Sequence, residues 1–547
     1  MSWKHLPAEL RAQVISYLEL PRVDRDQLWP SQEFVEKQSA LRNLCLTSRS
    51  TAVEARIWLY RTIILFIDGD DVDFSMSSPG MKVFRHAHEF ASPKVPFAHP
   101  DSMVQLIRTL THNPHLRTYI KYVACPFSKS EIPPSSYTDQ LEEDTKRMCT
   151  SWVRHAHEFS DTTGLERQIL EMSGHAIPPP NKKLSNPDET IKGGIWDLTG
   201  KVEVVQRLVA VLLCLLPEVD TLLLQACDYR PSRITHQILE KYMNNKATSS
   251  LVMPKLATLQ LQVHQLRWKR INELEKTSFD AVYALLDLPT LRHIETWQDD
   301  GFNSFFAARG ADPIDHIGLQ WLPKIETLSL TSAVYDCNNF FAAIRWATSL
   351  RRLTMDVYGM EISHPWYSRQ PSLNEALLVH AGTLEELYLG TFSKAYKHIS
   401  EARCLSCLPH MTKLRVLSVE MSMMFGPFEK LTRLSLPDLL PPNLEQLYLV
   451  DAWLEADGEY GRYTYPTRQI ERHLEALVCQ FEQLADEVRT PREQQQQQQL
   501  SKLRRVHLRP GQLCTRGRWL QEGRLRHIER TLREVGVEFT YVLPRCD

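Results

Sequence analysis

Neither sign of charge dominates this chain of 547 residues: 64 lysines and arginines face 66 aspartates and glutamates, leaving a formal net charge of −2. A protein that grips nucleic acid by neutralising phosphates needs a basic excess or a basic face, so nucleic acid is not an expected partner. Long apolar runs are also missing. The longest, residues 208–216, is less than half of the roughly 20 residues that a helix needs to cross a bilayer. The opening Met1-Ser2-Trp3-Lys4-His5-Leu6-Pro7 lacks the apolar core of a secretory signal. Eleven cysteines, from Cys45 to Cys546, follow no framework spacing. Scattered thiols of this kind are the pattern of a reducing compartment. The expectation is a cytoplasmic or nuclear protein with no membrane attachment.

Signatures of catalysis are scarce too. No phosphate-cradling Gly-x-x-x-x-Gly-Lys-Ser/Thr loop, no dinucleotide turn and no nucleophile elbow stands in the chain. The segment Cys404-Leu405-Ser406-Cys407-Leu408-Pro409-His410 offers two thiols and an imidazole. Structural zinc takes four ligands and no second pair follows at finger spacing, while Leu405 and Leu408 suit a packed helix. Arg-His-Ala-His-Glu-Phe occurs twice, at 85–90 and 154–159. His-x-His shares a face only on a strand, and the second copy reads as helix, so its histidines diverge. No catalytic residue, cofactor or metal is expected, although an enzyme with a site on the insertion over 126–200 is the outlying alternative.

What the chain has in quantity is periodic leucine. Leu6, Leu10, Val14 and Leu18 repeat every four residues beside Ile15, predicting a short amphipathic helix with Pro7 at its start. A polar connector follows over 21–39. Leu41, Leu44, Cys45 and Ser48 then mark a second helix, and Val53, Ala55, Ile57, Trp58 and Leu59 a third. Three short helices bury little surface alone, so their apolar stripes should dock on something.

The combination of Leu6-Pro7-Ala8-Glu9-Leu10, Val14-Ile15, Tyr17-Leu18, Leu44-Cys45-Leu46-Thr47-Ser48-Arg49 and Trp58-Leu59-Tyr60-Arg61-Thr62-Ile63 resembles an F-box. The wider resemblance is to F-box proteins with leucine-rich repeats, of the type abundant in filamentous fungi. The connector is longer than that family's usual one.

A Leu-x-x-Leu-x-Leu kernel recurs after residue 200 at intervals of about 25 to 37 residues, with one longer final step. Its copies are Val219-Leu222-Leu224, Leu256-Leu259-Leu261, Ile325-Leu328-Leu330, Leu350-Leu353-Met355, Leu384-Leu387-Leu389, Leu414-Leu417-Val419, Leu444-Leu447-Leu449 and Leu503-Val506-Leu508, with a weaker Leu291-Ile294. Leu-x-Leu is strand periodicity, and helical stretches such as 339–347 and 373–380 lie between kernels. The expected fold class is α/β: a three-helix F-box over 1–65, an acidic linker over 66–100, and a curved leucine-rich-repeat solenoid of strand–helix units over 101–545. Insertions are expected at about 126–200, and a poly-Gln loop, ending in six glutamines, at about 486–501.

The resemblance implies a non-catalytic subunit of an SCF-type cullin-RING ubiquitin ligase. Its F-box would bind a Skp-type adaptor through Leu6, Pro7, Leu10, Ile15, Leu18, Leu44, Val53 and Trp58. Its repeats would hold a protein substrate. Within each kernel the residue between the leucines faces away from the core, giving the target-binding column Gln260, Ser329, Thr354, Tyr388, Ser418, Tyr448 and His507. A repeat scaffold acting without ubiquitination is the alternative.

Overall fold

The computed structural model describes residues 7–22, 32–64, 106–107, 109–110, 113–126, 212–213, 215–226, 253–263, 285–297, 321–331, 337–356, 372–390, 405–425, 431, 433–450, 467–489, 500, 502–509 and 515–542. Both copies of the repeated hexapeptide, the acidic linker, most of the 126–200 insertion and the glutamine run lie outside them. The chain divides into two units, Met1–Leu291 and Arg292–Asp547.

In the first unit, helices α1 (Ala8–Ser16), α2 (Gln32–Thr47) and α3 (Arg49–Arg61) precede strand β1 (Thr62–Ile64). A short α4 (Pro114–Arg117) leads into β2 (Tyr122–Pro126), followed by β3 (Thr221–Ala226) and β4 (Thr258–Val263). The four strands pair in parallel in chain order. Pro7 caps α1 without needing an N–H of its own, and its carbonyl accepts from the Arg11 N–H at 3.0 Å. Ser48 caps α3 by accepting from the Thr51 N–H at 3.2 Å. Ile15, Leu20, Phe34, Leu41 and Ala55 form the buried centre of the helices, with Leu18, Leu44, Cys45, Trp58, Leu59 and Ile64 packed around it.

Two expectations change here. The apolar stripe expected on α1 divides: Leu10 and Val14 are exposed, while Leu18 packs beside the fully buried Ile15. Steps of four residues advance about 400° around a helix of 3.6 residues per turn, so such a series drifts across the surface. The polar connector over 21–39 is partly helix, because α2 begins at Gln32. Phe34 and Leu41, seven residues apart, supply its buried face, and a Lys37–Glu33 pair at 2.8 Å braces its first turns. β1, for which the sequence carries no periodic signal, pairs directly with β2 and carries the helical segment into the sheet.

Among its described residues the second unit holds eight parallel strands, again paired in chain order: β5 (His293–Trp297), β6 (Thr327–Thr331), β7 (Arg352–Asp356), β8 (Glu386–Leu389), β9 (Val416–Glu420), β10 (Gln446–Val450), β11 (Arg505–Arg509) and β12 (Glu538–Tyr541). Helices α5 (Cys337–Trp346), α6 (Leu373–Leu378), α7 (Met421–Phe425), α8 (Leu436–Leu439), α9 (Thr467–Arg489) and α10 (Thr515–Glu534) lie between them, with 3-10 turns at Leu322–Lys324 and Leu408–His410. The architecture is α/β. Ile294, Leu328, Leu353, Leu387, Leu417, Leu447, Val506 and Phe539 stand in one register across all eight strands, and each is buried. The kernel centres therefore stack on one another, and each strand hides its leucines against its neighbours and the helices behind them.

In this unit the residue that follows the first leucine or isoleucine of each kernel alternates in charge: Arg292, Glu326, Arg351, Glu385, Arg415, Glu445, Arg504. These residues are linked by backbone hydrogen bonds from repeat to repeat. Arg351 reaches Glu385 at 2.5 Å, and Arg415 grips both oxygens of Glu445 at 2.8 and 2.9 Å. Exposed pairs of this kind contribute little each. Their alternation nevertheless opposes a slip by one repeat, which would set like charges side by side.

The long final kernel step is filled by α9. Leu474, Leu477, Phe481 and Leu484 are buried along one face of it, and the expected loop boundary at 486 falls inside this helix. Its Gln480 is buried, accepts from the Leu436 N–H at 2.6 Å and donates to the carbonyls of Leu431 and Leu434, both at 2.7 Å. α10 packs against both α9 and β12. It ends in a Schellman turn: Val537 N–H donates to Leu532 O and Gly536 N–H to Arg533 O, each at 3.0 Å. Gly536 sits at φ +79°, where a side chain would be strained.

One buried histidine makes the second unit sensitive to acid. His380 is fully buried after α6, with Nε2 2.7 Å from the Ile344 carbonyl on α5. Burial holds its imidazole below the ordinary 6.5, outweighing the hydrogen bond that favours the charged form. The unfolded chain therefore takes up a proton below about 6.5 that the fold refuses. Stability from this group is complete above that pH and falls as pH drops, by at most about 1.4 kcal/mol per pH unit. Urea unfolding at pH 7.5 and 5.5 should show a smaller acid loss in His380→Gln than in the unaltered protein. Equal losses would remove His380 as the cause.

Candidate interaction surfaces

Two surfaces collect the residues singled out from the sequence. The first is on the N-terminal helices. Leu10 and Val14, each 46 % exposed, and Tyr17, 72 % exposed, lie at i, i+4 and i+7 on one side of α1. Val53, 59 % exposed, and Ile57 repeat the pattern on α3, and Leu46 near the end of α2 is also exposed. α1 and α3 pack together and are tied by an Arg11–Glu54 ion pair at 3.2 Å. Residues of this size are normally covered, and an apolar set rimmed by charge marks an interaction surface.

The eight residues expected to meet an adaptor separate into three groups. Pro7, Leu10 and Val53 are exposed. Ile15 is interior, and Leu18, Leu44 and Trp58 are half-buried against it, with the Arg61 guanidinium 4.9 Å above the Trp58 ring. Leu6 lies outside the described residues. Ile15 thus holds the helices together and cannot touch a partner, because a residue on the inner side of α1 is covered by α2 and α3. Val14, Tyr17 and Ile57 were not among the expected contacts. The sequence signal for them was present in the i, i+4, i+7 spacing, but nothing local says which of two apolar stripes faces inward.

The second surface is the sheet face of the second unit. Ser329, Thr354, Tyr388, Ser418, Tyr448 and His507 occupy one lateral row, continued by Glu295 at one end and Thr540 at the other. Tyr388 donates to Glu386 at 3.1 Å and carries the Arg352 guanidinium 5.1 Å above its ring. Burial, reinforced by the Glu386 charge, pushes its hydroxyl up to about 12, so the phenol stays neutral. Tyr448 donates to Gln446 at 3.0 Å, and its ring centre lies 5.8 Å from that of His507. His507 is paired with Thr540 at 2.8 Å, and burial holds its imidazole below the usual range. One strand separates the two tyrosines, placing their backbones about 10 Å apart.

Two members of the expected column depart from it. Ser329 is only 1 % exposed, because its short side chain lies below the level of its neighbours, so it presents nothing to a partner. Gln260 belongs to the first unit, where its row contains the buried, apolar Leu223 and Ala124 instead of polar groups. The cysteine–histidine segment also divides: Cys407 is buried, its thiol pushed up to about 12, while His410 is exposed. Among the described residues no group of three or more His, Cys, Asp or Glu side chains is placed to hold a metal, and no helix is long and apolar enough to cross a membrane.

No protein-family model matches this chain, and a comparison with curated proteins returns no match.

Proposed function

We propose that this chain is a substrate-recruiting subunit of an SCF-type cullin-RING ubiquitin ligase, with α1–α3 as an F-box that binds a Skp-type adaptor. The strand–helix repeats form a leucine-rich-repeat solenoid whose tyrosine-bearing face holds the protein target. The observation that carries the reading is the exposed apolar set Leu10, Val14, Tyr17, Val53 and Ile57 on helices that also bear the F-box-like sequence blocks. The stacked parallel repeats support the second half, since such arrays offer a long, rigid row of side chains to a partner. The mechanism is proximity: one scaffold holding adaptor and target raises the effective concentration of target lysines near the conjugating enzyme, and the bond-making chemistry occurs elsewhere. The chain then works in the cytosol or nucleus, where such ligases act.

The test is co-expression with a Skp-type adaptor and cullin, followed by size-exclusion chromatography. A stoichiometric complex is expected. Failure of the folded chain to retain adaptor would overturn the reading and favour a repeat scaffold working without ubiquitination.

A further inference from the structure

The seam between the N-terminal helices and the first two strands holds a cavity of about 450 Å³. Four cationic side chains line it, and they come from four separate segments: Arg22 after α1, Lys37 on α2, Arg61 at the end of α3 and Lys121 before β2. Glu19 is the one carboxylate in the lining. Each cation has at least one partner that holds it in place. Arg61 Nε meets Glu19 at 3.1 Å, and Lys37 meets Glu33 at 2.8 Å. Lys121 meets Glu218 at 2.7 Å, a carboxylate it shares with Lys255. Arg22 donates to the Thr221 hydroxyl at 3.3 Å and stands 3.9 Å from Asp220, and Lys37 also donates to the Glu19 carbonyl at 3.3 Å. Arg61 and Lys121 each engage one N–H in these contacts, Lys37 engages two, and Arg22 uses its two terminal nitrogens and keeps Nε. A guanidinium has five N–H donors and an ammonium three, so donors remain for a ligand. With four cations against one carboxylate, the lining carries an excess of positive charge, and a concave site of that kind concentrates anions.

We propose that this cavity binds a small soluble molecule bearing a doubly charged phosphate group. Phosphate suits the donors: guanidinium forks engage two of its oxygens at once, and ammonium groups add point charge. The volume lies within the usual range for small-molecule sites and leaves room for an organic body beside the phosphate. Ser16 and Tyr17, also in the lining, bring hydroxyls for that body. A bound ligand bridges the three helices and strands β1 and β2, so occupancy stiffens the junction that carries the helical surface. The site stands on its own geometry and is independent of the ubiquitin-ligase reading.

The experiment is thermal unfolding of the full chain with millimolar glucose 6-phosphate or inorganic pyrophosphate, against glucose and against NaCl at matched ionic strength. Both phosphorylated probes should raise the melting temperature of the first transition by about 3–6 °C at saturation, with no shift in either control. Arg22→Gln combined with Lys37→Gln should weaken both probes at least about tenfold, since each charge-assisted contact removed is worth about that factor. Lys37→Arg keeps the charge and should retain binding, which separates loss of the site from a change in fold. No shift beyond the controls, or a shift that survives the double substitution, would overturn the proposal.

Discussion

Changing Leu10, Val14 and Ile57 together to alanine should reduce adaptor affinity by roughly two to three orders of magnitude, a loss of about 3–4 kcal/mol, while leaving the fold nearly unaltered. All three are at least 37 % exposed, so little buried area is given up on truncation. Alanine is also the best helix former, which offsets part of that loss within α1 and α3. Surface substitutions of this kind usually stay within about 0.5 kcal/mol each. Ile15→Ala is the necessary contrast. Ile15 is fully buried, so its truncation should cost about 2–4 kcal/mol of stability and affect the adaptor only through unfolding. Biosensor affinity measured beside thermal melting separates the two cases. Adaptor binding that survives the triple substitution would move the interface to another face of the helices.

Replacing Tyr388 and Tyr448 by alanine should abolish target capture, at least about a hundredfold in affinity, with adaptor binding intact. The two rings are the largest side chains of their row, and each is already oriented: Tyr388 between Glu386 and Arg352, Tyr448 between Gln446 and His507. Rings fixed in this way lose little entropy when a partner covers them. Both are half-buried, so the double substitution should also lower stability modestly, by about 1–2 kcal/mol. Tyr388→Phe with Tyr448→Phe keeps the ring area and loses only the hydroxyls, and should retain most of the capture. Quantitative mass spectrometry of proteins retained by each variant, normalised to co-purified adaptor, reads the result. Equal retention by the alanine variant would exclude this face as the target site.

The strands were legible because period-two leucine is a local signal. Every kernel centre from Leu222 to Val506 falls on a described strand, and the neighbouring centres pair in register within each unit. The alternation of Arg and Glu beside those leucines was equally open to reading, and it shows how adjacent repeats recognise one another. β1 was harder. Three residues at the end of a helical segment carry no period of their own, and only pairing with β2 makes them a strand. α9 was hidden in the same way: its apolar residues have helical spacing, but without a kernel over 451–489 the stretch showed only as a longer final step.

Composition and period determine that this chain is α/β, that its leucines stack, and that three helices precede the repeats. These properties follow from which residues are apolar and how far apart they stand, and that distance is written in the sequence. The tertiary structure alone decided that Ile15 faces inward while Leu10 and Val14 face outward, and that Ser329 is covered while Tyr388 and Tyr448 stand half-exposed. It alone brought Arg22, Lys37, Arg61 and Lys121 around one cavity. Such facts depend on what lies opposite each side chain. That neighbour is supplied by a segment tens of residues away, which no local pattern can identify.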